Sequence, residues 1–222
     1  ASPQVGLNPT YAACAGSNIT MDAIQVSGAT YAWTGPNGFT ASGPSITLSG
    51  VNASNEGTYG VTATLSGCPS SNITTVFSVI NIPTATSGAT DNTVCVGESI
   101  QLTGQNSAPG ALFYWTGPNG FQSGDQNPVI DSAIENNQGL YSLFVDFMGC
   151  ISPISAVNVM VNPIPNATIW SNSPVCENGT ISLFSSSTSF GTYSWIGPAG
   201  FTSAQAEPTI SNAAAIHEGA YI

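Results

Sequence analysis

Apolar side chains recur at every second position over short runs, at Ile19 and Met21, Tyr31 and Trp33, Ile46 and Leu48, and Tyr59 and Val61. A two-residue period puts each pair on one face of a β-strand and leaves Thr20, Ala32, Thr47 and Gly60 on the other. The pattern predicts seven short strands in residues 1–82: an extended edge segment, a second strand over 17–23, and a third carrying Tyr31 and Trp33. A return strand begins at Phe39, a fifth covers 45–49, and a sixth is led in by Tyr59. A hairpin turn at Ser66-Gly67 then precedes a seventh strand over 72–79.

The same order returns twice. Residues 83–163 repeat it with Ile100, Leu102, Trp115, Ile130, Tyr141, Leu143 and a last strand over 157–161. Residues 164–222 repeat it with Ile181, Leu183, Trp195, Ile210 and Tyr221, and stop before the seventh strand. The expected fold class is all-β, with tandem sandwiches of which the third is incomplete. A core open at its sheet edge is expected to be completed by further chain or by a strand from a neighbour. The joints, Asn81-Ile82-Pro83-Thr84 and Asn162-Pro163-Ile164-Pro165, are short and Pro-bearing, which makes a semi-rigid array.

The clearest repeat is YAWTGPNGF at 31–39, FYWTGPNGF at 113–121 and YSWIGPAGF at 193–201. Its physical reading is a strand, a tight turn and a returning strand. Trp33, Trp115 and Trp195 belong to the core, as do the later Tyr59, Tyr141 and Tyr221. Since Ala199 stands where the other copies have Asn, and Ala resists positive φ, the expected turn is type I followed by a left-handed Gly.

Composition narrows function. Lys and Arg number zero against eleven Asp and Glu, for a net charge of −11. Such a chain can neither neutralise phosphates nor anchor to anionic lipid, so nucleic acid is excluded as a partner. No ion pair with Lys or Arg can form, and stability rests on burial, strand hydrogen bonds and crosslinks. No apolar run reaches membrane-span length, so direct membrane insertion is not expected, and no leader pattern is present. Five Cys without metal-site spacing fit disulfides in an oxidising, extracellular setting. With a single His, His217, and scattered carboxylates, no catalytic constellation, metal site or cofactor site is legible.

Seven strands, a Trp on the third and Gly-x-Tyr at the start of the sixth resemble the immunoglobulin fold with its tyrosine corner. The usual inter-sheet disulfide cannot form, because its positions hold Ala23, Gly104 and Ser185 on one strand and Val61 and Leu143 on the other. The fuller pattern is Cys95-Val96-Gly97, the Trp115 to Phe121 stretch, Gly139 to Tyr141, then Gly149-Cys150. It is similar to the immunoglobulin-like repeats of large Bacteroidota cell-surface proteins. That resemblance implies a long adhesin or filament at the cell surface, exported by the type IX system and in some cases tied to gliding. Its implied partners are further repeats of the same or like chains, other cells and surface glycans. It also marks Ser132, in Asp131-Ser132-Ala133, as a candidate O-glycosylation site. The alternative function is a carbohydrate-binding array using Phe39, Phe121 and Phe201.

Cys14, Cys95 and Cys176 recur at the corner before the second strand, and Cys68 and Cys150 at the corner before the seventh. One pairing closes each repeat on itself, Cys14 with Cys68 and Cys95 with Cys150. These corners lie at opposite ends of a sandwich, about 20 Å apart at 3.3 Å per residue, whereas a disulfide spans about 7 Å between Cα atoms. Cys14 with Cys150, across the joint, is therefore favoured. Cys68, Cys95 and Cys176 are then expected to pair with neighbouring repeats.

Trypsin should leave this chain uncut even when it is denatured and reduced, since no Lys or Arg exists to fill the protease's specificity pocket. Mass spectrometry of the digest should show one intact species.

Overall fold

The computed structural model of the chain describes residues 2–186 and 191–222. Its contacts divide the chain into two compact units, Ala1–Val161 and Asn162–Ile222. The larger unit holds two sandwiches. The first is built from β1 (Thr10–Cys14), β2 (Ile19–Asp22), β3 (Thr30–Thr34), β4 (Thr40–Ser42), β5 (Ser45–Leu48), β6 (Gly57–Leu65), β7 (Cys68–Pro69) and β8 (Ile73–Ile80). One sheet runs β1-β8-β6-β3-β4 and the other pairs β2 with β5. β1 lies parallel to β8, while β8, β6, β3 and β4 pair antiparallel.

The second sandwich comprises β9 (Ala85–Ala89), β10 (Thr93–Cys95), β11 (Ile100–Asn106), β12 (Leu112–Thr116), β13 (Gln122–Ser123), β14 (Val129–Ile130), β15 (Gly139–Phe147), β16 (Cys150–Ile151) and β17 (Ser155–Asn162). Its sheets run β10-β17-β15-β12-β13 and β14-β11-β9. In both sandwiches the last strands pair with the third across the sixth, opposite a sheet made from the second and fifth. That is the strand order of an immunoglobulin-like sandwich.

In the smaller unit, β18 (Ile169–Ser171), β19 (Thr180–Ser185) and β22 (Thr209–Ser211) form one sheet, and β20 (Trp195–Ile196) pairs with β21 (Thr202–Ser203). Ile222 continues that second sheet by exchanging backbone hydrogen bonds with Ile196, at 2.8 and 3.0 Å.

Two-residue alternation explains the cores. Met21, Trp33, Ile46, Leu48, Tyr59, Val61 and Phe77 point inward from both sheets of the first sandwich. Ile100, Leu102, Trp115, Tyr141, Leu143, Val145 and Val159 do so in the second. Trp33 and Trp115 are each 1% exposed and Trp195 is 3% exposed. Burying an indole N–H requires an acceptor, and Trp33 donates to the Gly43 carbonyl (2.9 Å), Trp115 to Gln126 (3.4 Å) and Trp195 to Gln205 (2.9 Å).

The hairpin turn differs from the sequence expectation. Phe39 N–H donates to the Pro36 carbonyl (3.0 Å), so the closed turn is centred on Asn37 and Gly38, not on Pro36 and Asn37. Both central residues have positive φ, 52° and 75°, as a type I′ turn requires. The other copies match, with Asn119 at 54° and Ala199 at 53°. Ala199 thus adopts the left-handed conformation that the sequence reading judged it would resist. The twist of the strands selects the primed turn, and the fold holds Ala199 there at a local cost of about 1–2 kcal/mol.

Replacing Ala199 with Asn, as in the other two copies, should remove most of that cost. The expected gain is about 1 kcal/mol for the smaller unit, seen as a raised denaturant midpoint in urea unfolding of that unit.

Candidate functional site

The most specific sequence motif becomes a clasp between the hairpin and β6. A Cβ placed on Gly35 would lie 2.6 Å from the Tyr59 ring, so that ring rests on bare backbone. Gly57 has φ +135°, and a Cβ there would meet the Pro36 ring at 2.8 Å. Each of the two segments therefore supplies one glycine and one ring. Gly117 with Tyr141 and Gly139 with Pro118 repeat the arrangement, as do Gly197 with Tyr221 and Gly219 with Pro198. The sequence showed that Gly-Pro and Gly-x-Tyr recur together; the structure shows that they touch.

Each tyrosine also anchors the loop before it. Tyr59 O–H donates to the Asn55 carbonyl (2.9 Å), Tyr141 to Asn137 (2.7 Å) and Tyr221 to His217 (2.9 Å). Asn55 and Asn137 in turn use side-chain oxygens to accept from the Asn52 and Ile134 N–H groups, both at 2.9 Å. His217 does the same through Nδ1, which accepts from Ala214 N–H at 3.2 Å. The single histidine is thus a loop-closing acceptor in the position of an asparagine. Among the described residues no group of His, Cys, Asp and Glu could hold a metal ion.

At the position of the usual inter-sheet disulfide, β-strand neighbours fill the space. A Cβ on Gly104 would lie 2.7 Å from the Gln126 carbonyl oxygen, 3.2 Å from the Phe113 ring and 3.3 Å from Leu143 Cδ2, so backbone and side chains of other segments already fill that space. In the first sandwich Ala23 faces the same core as Val61, both nearly inaccessible.

The disulfide lies elsewhere. Cys14, at the end of β1, is bonded to Cys150, which opens β16, with Cα atoms 5.7 Å apart and a sequence separation of 136. The corner that presents Cys14 is repeated: the residue three after Cys14, Cys95 and Cys176 donates its N–H to each cysteine's carbonyl at 3.0 Å. The corner that presents Cys150 is a type I′ turn through Met148 and Gly149, and Ser66 and Gly67 make the same turn before Cys68. Cys68, Cys95 and Cys176 are exposed thiols.

Phe39, Phe121 and Phe201 are half-buried and meet Tyr59, Tyr141 and Tyr221 edge-on, at 5.5, 5.4 and 5.7 Å between centroids. They complete the rim of the core. Exposed aromatics occur elsewhere. Tyr114 stacks on the half-buried Phe144 across β12 and β15 at 4.9 Å, on the outer face that also carries the exposed Leu112 and Leu140, and the exposed Trp170 stacks on the half-buried Phe184 at 5.7 Å. The first sandwich carries Thr30, Ala32, Thr58 and Thr62 on the face equivalent to Leu112, Tyr114, Leu140 and Phe144. The sequence reading passed over this apolar outer face, whose signal was an unbroken apolar run, Leu112 to Trp115. Ser132 is exposed in the loop after β14, at φ 52°, beside the buried Ala133. Among the described residues no helix is long and apolar enough to cross a membrane.

No protein-family profile matches the chain, and no curated protein matches it in sequence. Among solved structures it is similar to a chain of the complex of a mouse coronavirus receptor-binding domain with its murine receptor, at 16% identity and a TM-score of 0.48, over 71% of this chain and 100% of that one. Murine CEACAM1b is similar at 17% identity and a TM-score of 0.44, over 71% of this chain and 100% of its own. The four N-terminal immunoglobulin domains of a Dscam1 isoform are similar at 15% identity and a TM-score of 0.36, over 73% of this chain and 47% of that one.

Burial raises the Tyr59 and Tyr141 hydroxyls above their ordinary value of 10.0. Their contribution to stability is therefore complete below pH 10 and is lost as pH rises through the unfolded and then the folded value. Urea midpoints of the wild type should fall above pH 10, and the Tyr59→Phe, Tyr141→Phe double variant should show a shallower fall. At neutral pH each replacement should cost about 1 kcal/mol through the lost O–H bond.

Proposed function

We propose that the chain is a non-enzymatic structural segment, a stalk or filament piece, of an extracellular adhesin at the cell surface. Its modules are residues 1–82, 83–163 and 164–222, set in series. The observation that carries this reading is the Cys14–Cys150 bridge, which links two sandwiches instead of closing one. A crosslink inside a module stabilises that module alone, whereas one across the joint at 81–84 opposes bending of the array. Cys68, Cys95 and Cys176 sit at equivalent corners and are proposed to make the same bond to neighbouring modules. A surface with no Lys or Arg and a net charge of −11 favours solubility of the array.

The resemblance of the Cys-x-Gly, Trp-x-Gly-Pro-x-Gly-Phe and Gly-Cys pattern to Bacteroidota surface repeats supports a source of that kind, with type IX export. Its partners would be further modules of the same or like chains, other cells or surface glycans, and Ser132 would be its O-glycosylation site. The alternative, a carbohydrate-binding array, needs the faces of Phe39, Phe121 and Phe201, which lean instead against core tyrosines.

A load-bearing role predicts a mechanical signature. Stretched from its ends in a force spectrometer, the oxidised chain should extend roughly 450–490 Å less than the reduced chain, since the bridge shields 136 residues at about 3.3–3.6 Å each. The Cys14→Ser, Cys150→Ser double variant should behave like the reduced chain and lose about 2–4 kcal/mol of stability. Equal extension with and without reductant would remove the bridge from the load path and sink the proposal.

A further inference from the structure

The outer face of the second sandwich differs in kind from that of the first. On the β12–β15 pair Leu112 stands opposite Asp146, and Tyr114 opposite Phe144. These four side chains point away from the core, because they alternate with the inward Trp115, Leu143 and Val145. At the same positions the first sandwich holds Thr30 opposite Thr64 and Ala32 opposite Thr62, with neither a ring nor a charge.

Tyr114 is exposed although it stacks on Phe144, with planes 9° from parallel. The stack covers the face of the Tyr114 ring toward β15 and leaves the face toward β13, the neighbour on the other side. There the register of Trp115 with Ser123 brings Gly124 opposite Tyr114, and glycine has no side chain to cover the ring. Asp146 lies diagonally across the strand pair from Tyr114, a separation of roughly 7–8 Å between such positions. Its Oδ1 accepts the Gly149 N–H at 2.7 Å, which fixes the carboxylate in place. A carboxylate has about four acceptor positions, so this bond leaves room for another donor.

An open aromatic face beside a fixed carboxylate is suited to a cation, which the ring attracts electrostatically within about 6 Å of its centre. No Lys or Arg of this chain can take that place, because it has none. A second copy is no better supplied, and it brings a like charge of −11. The complementary charge therefore has to come from a different molecule.

We propose that this face docks a basic segment of another protein, in which an Arg side chain lies over the Tyr114 ring and donates to Asp146. Arg suits the site better than Lys, because a planar guanidinium stacks on a ring and presents paired N–H groups to a carboxylate. The exposed Leu112, beside Asp146, and Leu140, further along β15, extend the surface beyond one cation. The docked segment accordingly carries apolar residues next to its Arg. The net charge of −11 draws such a partner in and raises its association rate. This surface stands whether or not the chain is part of a filament.

The test titrates the intact chain with a blocked synthetic peptide, Leu-Arg-Leu-Arg-Leu, by calorimetry and amide chemical-shift mapping at physiological ionic strength. A matching peptide with citrulline for Arg keeps the shape and removes the charge. One-to-one binding of the Arg peptide is expected, with shifts centred on residues 112–116 and 140–146. The citrulline peptide should bind about tenfold more weakly or worse, as should the Arg peptide with the Tyr114→Ala, Phe144→Thr double variant, which carries the first sandwich's residues. Asp146→Asn retains an acceptor for Gly149 and should weaken binding several-fold, and the urea midpoints of both variants should stay close to that of the wild type. Equal binding by the citrulline peptide, full binding by the double variant, shifts spread over the whole surface as diffuse charge attraction gives, or no binding would each overturn the proposal. A neutral oligosaccharide that bound the same residues more tightly than the Arg peptide would overturn it in favour of a glycan.

Discussion

A tyrosine ring resting on a glycine, while a proline ring rests on a second glycine, is the contact from which the rest of each sandwich is set out. Tyr59 on Gly35 and Pro36 on Gly57 fix the hairpin between β3 and β4 against the start of β6. With the hairpin fixed, Trp33 points into the core and Tyr59 reaches back to close the loop at Asn55. Neither glycine tolerates a side chain, because the space a Cβ would take is already occupied by a ring and a close-packed interior has no slack to return. This is why the two motifs are inherited as a pair through all three copies.

A fold of this kind commonly ties its sheets together with a disulfide through the core. Here that position is filled by packing, with Gly104 hemmed in by Gln126, Phe113 and Leu143 and Ala23 in the same core as Val61, so cohesion between sheets rests on burial. The covalent bond is thereby released for use between sandwiches, where Cys14 and Cys150 meet. Packing holds each sandwich and the bridge constrains their joint. The division suits a chain without Lys or Arg, in which surface ion pairs with basic side chains cannot contribute at the joint.

The outer faces are less uniform than the cores. Equivalent positions hold Thr30, Ala32 and Thr62 in the first sandwich and Leu112, Tyr114 and Phe144 in the second. The repeat preserves what folding needs, while the solvent face of the sheet is free to diverge. Cys68, Cys95 and Cys176, by contrast, keep the corner geometry of the bonded pair although exposed.

By itself the sequence determined the strands, the inward residues and the all-β class, because alternation with a period of two is a local property that survives in the one-dimensional record. Trp33 and Trp115, Tyr59 and Tyr141 could be assigned to the core on those grounds alone. Its lack of cations also sets an expectation against nucleic-acid binding. The turn was read one residue out of register, because the hydrogen bond from Phe39 to Pro36 and the twist of the paired strands are tertiary facts that outweigh the local reluctance of Ala199. Only the tertiary structure decided that His217 stands in for an asparagine acceptor, that the repeated phenylalanines lean on tyrosines, and that Gly35 and Gly57 are vacant of side chains for the sake of rings elsewhere in the chain. Each of those depends on two segments distant in sequence arriving at one place, and a pattern read along a single strand carries no record of its partner.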